Sequence, residues 1–228
     1  MYRDNEKIWQ IIFLCGLVSC LSVVYVGSGC SNTLLRKAHD NEKTWVCDNA
    51  ADEALKWRNY ETAIPLHEHF LENEPGNALA LYHLGYAYGQ TGDYLREVAY
   101  YEKAIAHGFK NDRIFFNLGM AYGELNDMER AVTAFKKALE INPNSSDNHF
   151  GLAMAYYQSG IADKSAEEEF LKAIKLDPED LDARLYLSIL YVDMGELQEA
   201  SEQLRKILQS DPTHRRAREL LERINPTT

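Results

Sequence analysis

A chain of 228 residues with 24 basic and 35 acidic side chains carries a net charge of −11 and can form one large domain or two small ones. That acidity repels nucleic acid and anionic lipid headgroups and argues against a polybasic contact surface. Of the four cysteines, Cys15, Cys20 and Cys30 fall in the first thirty residues and only Cys47 follows, so no intramolecular disulfide can staple the body and packing must hold it.

Ile8 to Val26 contain no charged residue, and Gln10, Ser19 and Ser22 are the clear polar interruptions. At about 1.5 Å per residue such a helix spans roughly 28 Å, close to the hydrocarbon thickness of a bilayer. Residues 1–29 therefore read as an export signal or membrane anchor outside the folded core. The run Val26-Gly27-Ser28-Gly29-Cys30-Ser31 ends this stretch and resembles the lipobox of bacterial lipoprotein precursors. The resemblance implies diacylglycerol addition to Cys30, cleavage before it, and a tether over 30–43 that begins with the polar Ser31-Asn32-Thr33. Leu17-Val18-Ser19-Cys20 is a second match, but cleavage there leaves Leu21 to Val26 as an exposed apolar stub. The alternative is an uncleaved single-pass anchor in an inner membrane. Arg36 and Lys37 flank its far side, which by the positive-inside rule puts the body in the cytoplasm. The lipoprotein reading instead places the body in a bacterial cell envelope, lipid-anchored and facing the periplasm, with the outer membrane favoured.

From residue 44 the sequence resembles itself about every 34 residues. The segments Leu81–Tyr88, Phe115–Tyr122, His149–Tyr156 and Arg184–Tyr191 each place a small residue after a leucine and a tyrosine four residues beyond that leucine. Those positions share one helical face. Turns follow at Gly92, Asn126, Gly160 and Gly195, and second helices carry Tyr101 with Ala104, Phe135 with Ala138, and Phe170 with Ala173. Pro75, Pro143, Pro178 and Pro212 stand where a helix must stop. Gly85, Gly119, Ala153 and Ser188 are expected to face Ala131, Ala166 and Ala200, letting helix axes approach. One hairpin cannot bury both of its faces, so neighbours must stack.

This pattern resembles the tetratricopeptide repeat, with its Leu-Gly-x-x-Tyr…Ala…Phe…Ala…Pro signature. The resemblance implies an all-α, right-handed superhelix of about five repeats, over 44–77, 78–111, 112–145, 146–180 and 181–214, with a capping helix over 215–224. The first repeat departs from the pattern. Its first-helix core holds only Ala50, Ala51 and Ala54, and Pro65 falls inside its second helix; that unit reads as a degenerate cap with a poorly ordered first helix. In the second repeat Glu97 replaces a small alanine, and Gly108 serves as the helix stop in place of proline.

First helices of such arrays line a concave groove that receives a peptide or helix. By alignment the groove residues are Leu79, Tyr82, Tyr86, Arg113, Phe116, Asn117, Met120, Phe150, Met154, Tyr157, Leu185 and Ile189. Aromatic and flexible apolar side chains of this kind suit varied partners. The alternatives are that adjacent first helices pack these residues on each other, or that the N-terminal tether fills the groove. The lysine and asparagine clamp by which some members hold a free carboxylate is absent: those positions carry Tyr82, His83, Tyr86, Phe116 and Met120, with Arg113 and Asn117 polar.

No cofactor, catalytic residue or metal site is expected. His67 and His69 in His67-Glu68-His69 point about 200° apart on a helix, cannot share an ion, and read as surface histidines. The acidic run Asp177–Asp180 lacks the spacing of a calcium loop. Cys47 has no neighbour in sequence to activate it and is expected to pack in the first repeat. Arg215, Arg216 and Arg218 are relieved by Glu219 and Glu222. The implied function is a non-catalytic, membrane-tethered adaptor that binds other envelope proteins. It is similar to repeat lipoproteins that help secretin subunits of pilus or secretion machines reach the outer membrane, or that bring proteases to cell-wall hydrolases. A self-assembling structural component, including a homodimer, is the competing reading.

Overall fold

The structure, a computed structural model, describes residues 47–160 and 164–225. Cys30, the apolar segment and the tether lie outside the described residues. No helix among the described residues is long and apolar enough to cross a membrane. The described residues are helical throughout, without a strand, in two compact units, one ending at Lys110 and the other beginning at Asn111.

The first unit holds α1 (Asn49–Lys56), α2 (Tyr60–Asn73), α3 (Ala78–Gln90) and α4 (Tyr94–Ala106). The second holds α5 (Asp112–Glu124), α6 (Met128–Ile141), α7 (Ser146–Gln158), α8 (Lys164–Leu176), α9 (Leu181–Met194), α10 (Leu197–Ser210) and α11 (Arg215–Ile224). Successive helices pack as antiparallel hairpins: α1 on α2 and α3 on α4 in the first unit, then α5 on α6, α7 on α8, and α9 on α10.

Most of the helices begin where a side chain takes up a free backbone N–H, although Glu196 ahead of α10 makes no such bond. Asp48, Asn59, Asn77 and Asp93 do this in the first unit. Asn111, Asp127, Ser145 and Asp180 do it in the second, and His214 accepts from Ala217 N–H through Nδ1. Such a cap stabilises a helix by about 1 kcal/mol.

The hairpin turns repeat one backbone conformation. Arg58, Gly92, Asn126, Gly160 and Gly195 have φ of 57°, 81°, 58°, 77° and 81°, the left-handed region that a side chain makes costly. Glycine supplies it at three of the five turns. Asparagine tolerates it at a fourth, and Arg58 adopts it under strain.

One expectation for the first repeat needs correction. Its first helix is formed: α1 has a bonded cap at Asp48 and buries Ala51 completely. As expected, Pro65 lies inside the second helix, α2, where it has no N–H to give the Glu61 carbonyl.

At two of the small first-helix positions the bare backbone meets an aromatic ring of the second helix. A Cβ added to Gly85 would lie 2.8 Å from the Tyr101 ring, and one added to Gly119 would lie 2.8 Å from Phe135 Cζ. Phe135 also covers Gly151 on the next hairpin. Glycine here makes room for an aromatic ring, and Tyr101 and Phe135 are both fully buried. Glu97, in place of an alanine, lies against bare Gly89 and is 3% exposed. At the far end α11 covers a core of Leu185, Leu204, Ile207, Ala217 and Leu220.

Candidate partner-binding faces and a buried polar cluster

In the first unit the candidate groove residues sit on α3. Leu79, Tyr82 and Tyr86 are each half-buried. Tyr82 stacks on Phe109 with ring centroids 4.7 Å apart, and Tyr86 meets Tyr60 edge-on at 6.4 Å. Burial, and then the Tyr60 phenol, push the Tyr86 hydroxyl above its ordinary pKa. It therefore stays a neutral hydrogen-bonding group.

In the second unit the remaining candidates divide sharply by depth. Phe116, Met120, Phe150, Met154 and Leu185 are buried, none above 6% exposed. Phe116 packs edge-on to Phe135 at 5.7 Å, and Phe150 lies between Phe170 and Tyr186 at 5.9 and 5.8 Å. Leu185 belongs to the core under α11, and Ile189 packs on its edge. Rings on the second helices, Tyr186 on the next first helix and the core under α11 cover Phe116, Phe150 and Leu185.

Apart from half-buried Ile189, what remains accessible among these candidates is polar. Arg113 on α5 lies 3.9 Å from Asp147 on α7, with its guanidinium 5.7 Å from the Phe116 ring centre. The Tyr157 hydroxyl on α7 donates to Asp193 on α9 at 2.6 Å. Burial, then that bond, raises its pKa. Asn117 is half-buried beside them on α5. The face expected to be an apolar groove is thus, in this unit, a hydrophobic floor under a rim of guanidinium, amide, phenol and carboxylate.

A second constellation lies within the first unit. Cys47 precedes α1, Asp52 is on α1, His67 on α2 and His83 on α3. One ligand atom from each falls within 4.8 Å of all the others. His67 is completely buried and Cys47 is 7% exposed. The expectation of surface histidines therefore fails for His67, because α2 turns it inward against α1 and α3. His69 is the exposed one and pairs with Glu72 at 3.0 Å. Burial drives His67 down to about 4, with the neighbouring His83 adding to the fall. Burial and the carboxylates of Asp52, Asp48 and Glu74 push the Cys47 thiol well above its ordinary value. No sequence spacing announces this cluster, since its members come from four separate stretches of chain.

Models of the tetratricopeptide repeat match residues 49–112, 113–145 and 164–224. The chain belongs to the tetratricopeptide repeat family. YrrB, whose crystal structure is described as that of a TPR protein with an unusual peptide-binding site, superposes with a TM-score of 0.68 at 25% identity, over 75% of this chain and 87% of YrrB. MamA from Desulfovibrio magneticus RS-1 shares the fold at a TM-score of 0.69 and 20% identity, over 73% of this chain and 93% of its own. A probable UDP-N-acetylglucosamine--peptide N-acetylglucosaminyltransferase, SPINDLY of Petunia hybrida, is 46% identical over 56 residues. That stretch is 25% of this chain and 6% of SPINDLY; it bears on the repeat and carries no activity across. The fold is that of a protein–protein interaction scaffold, a type that is typically non-catalytic.

Proposed function

We propose that this chain is a non-catalytic adaptor tethered to a membrane of a bacterial cell envelope, holding an extended or helical segment of a partner protein on its first-helix faces. The observation that carries the reading is the rim of Arg113, Asn117, Tyr157 and Asp193 over the buried floor of α5, α7 and α9. A partner backbone has N–H and C=O groups to satisfy along its length, and this rim offers donors and acceptors at successive hairpins. Membership of the repeat family supports it, as does the peptide-binding site ascribed to YrrB.

The tether is proposed to be a lipid on Cys30, on the strength of the lipobox-like run that ends at this residue. The partners are proposed to be other envelope proteins. A photo-crosslinking residue at Asn117 in native cells tests the face. Capture of a discrete partner that disappears in Arg113→Glu is the expected result; capture indifferent to that change sinks it. Phe116 is unsuitable as a probe, since its ring is part of the Phe135 packing. Metabolic labelling with palmitate tests the tether, and undiminished label in Cys30→Ala counts against it.

Self-assembly is the second reading. It is favoured by Trp57 and Leu95 in the first unit, which are 75% and 71% exposed. Concentration-dependent light scattering that vanishes in Trp57→Ser with Leu95→Ser would select it.

A further inference from the structure

The Cys47–Asp52–His67–His83 cluster is poorly explained as packing. Buried polar atoms almost always find hydrogen-bond partners. Here both ring nitrogens of His67, Nδ1 of His83 and Oδ1 of Asp52 are buried without one. Asp52 Oδ1 comes within 2.8 Å of His83 Nδ1 and 3.8 Å of His67 Nε2, but the first approach lacks the alignment of a hydrogen bond. Leaving buried polar atoms unpaired is costly, and the completely buried His67, with neither ring nitrogen bonded, is the clearest case.

The donor set has the chemistry of a single answer. A thiol, a carboxylate and two imidazoles are the side chains that bind zinc, and four protein ligands close a tetrahedral structural site. Tetrahedral bonds of about 2.0–2.3 Å separate neighbouring ligand atoms by about 3.3–3.8 Å. The atoms here all lie within 4.8 Å of one another, so the shell closes with shifts of about 1–1.5 Å between ligand atoms. A soft sulfur with two imidazoles disfavours magnesium and calcium, which prefer all-oxygen shells.

We propose that Cys47, Asp52, His67 and His83 bind one divalent ion of the zinc class, which fastens α1 to α2 and α3. On binding, the Cys47 sulfhydryl proton leaves to solvent. The resulting thiolate and the Asp52 carboxylate balance the two positive charges, and both imidazoles bind neutral. Asp48 and Glu74, close enough to act on Cys47, add a negative field that draws a cation in. The ion takes up one ring nitrogen of His67 together with the orphaned atoms of His83 and Asp52. It also supplies the first repeat with the hold that its short, alanine-lined α1 lacks.

The test uses the full chain without a histidine tag, reduced and stripped with a chelator, then titrated with cobalt(II). One equivalent per chain is expected, with the strong visible bands of tetrahedral cobalt and a thiolate-to-cobalt transition in the near ultraviolet. Zinc should displace the cobalt stoichiometrically and raise the melting temperature. Cys47→Ser should abolish the near-ultraviolet transition. His83→Gln, at the more accessible edge of the cluster, should weaken zinc binding at least tenfold and remove the thermal shift. Wild-type protein that is helical by circular dichroism yet gives only the weak spectrum of octahedral cobalt overturns the proposal. So does a spectrum and affinity unchanged in both variants.

Discussion

The ring of Phe135 lies against the bare backbone of Gly119, 2.8 Å from where a Cβ would stand. The same ring covers Gly151 on the following hairpin. One aromatic side chain on α6 therefore sets how closely both α5 and α7 approach it. Overpacking a filled core costs typically about 1–3 kcal/mol. Gly119→Ala and Gly151→Ala should each destabilise the second unit by that amount in urea melts. A smaller ring site should relieve it, so Gly119→Ala combined with Phe135→Leu should cost less than the two changes added. Strict additivity would disprove the contact.

The turn conformations make an opposed pair of predictions. Arg58 holds a φ of 57° that glycine holds freely at Gly92. Arg58→Gly should raise stability by roughly 0.5–1 kcal/mol, the strain relieved less the added freedom of the unfolded chain. Gly92→Ala should lower it by about 1 kcal/mol although no atom lies within 4 Å of the added Cβ. Denaturant midpoints at constant slope measure both.

Pro65 is exposed and inside α2. Replacing it by alanine restores one backbone hydrogen bond and removes a ring from the path of the preceding turn. Pro65→Ala should stabilise the first unit by up to about 3 kcal/mol. Amide exchange should slow through α2 ahead of other helices. Unchanged exchange would show that the helix already accommodates the ring at no cost.

Two turn aspartates should titrate on opposite sides of the ordinary carboxylate value. Burial raises Asp180 against the pull of the Ala183 N–H it caps, whereas the Thr213 hydroxyl and N–H lower Asp211. For Asp180 the folded pKa lies above the unfolded one. The stability it contributes is present at low pH and lost as pH rises through the folded value. For Asp211 the order reverses, and its contribution is lost as pH falls through its folded value. Carbon-detected NMR titration of the two carboxyls checks the ranking.

The hairpin architecture is legible in the sequence because each structural need has its own residue type. Leucine and tyrosine recur on one face, turn residues fall at the left-handed positions, and proline or Gly108 follows the second helices. The depth of the binding face is not legible. Met154 and Ile189 are both aliphatic groove candidates by alignment, yet one is fully buried and the other half-buried. That difference comes from how neighbouring helices stack, which no single repeat encodes. His67 is hidden for a related reason. Its partners Cys47, Asp52 and His83 converge only after three helices have packed, so helical spacing correctly separates it from His69 but says nothing of what it meets.

The strained Arg58 turn and the proline in α2 share one hairpin, and that hairpin stands between residues 1–46 and the rest of the described chain. A pull arriving along the backbone from that side loads α1 and α2 before any other helix. Were the chain anchored through Cys30 as proposed, these helices would act as a mechanical fuse, giving up length under tension while the later hairpins stay folded. An ion locked between α1, α2 and α3 would set the force at which the fuse opens.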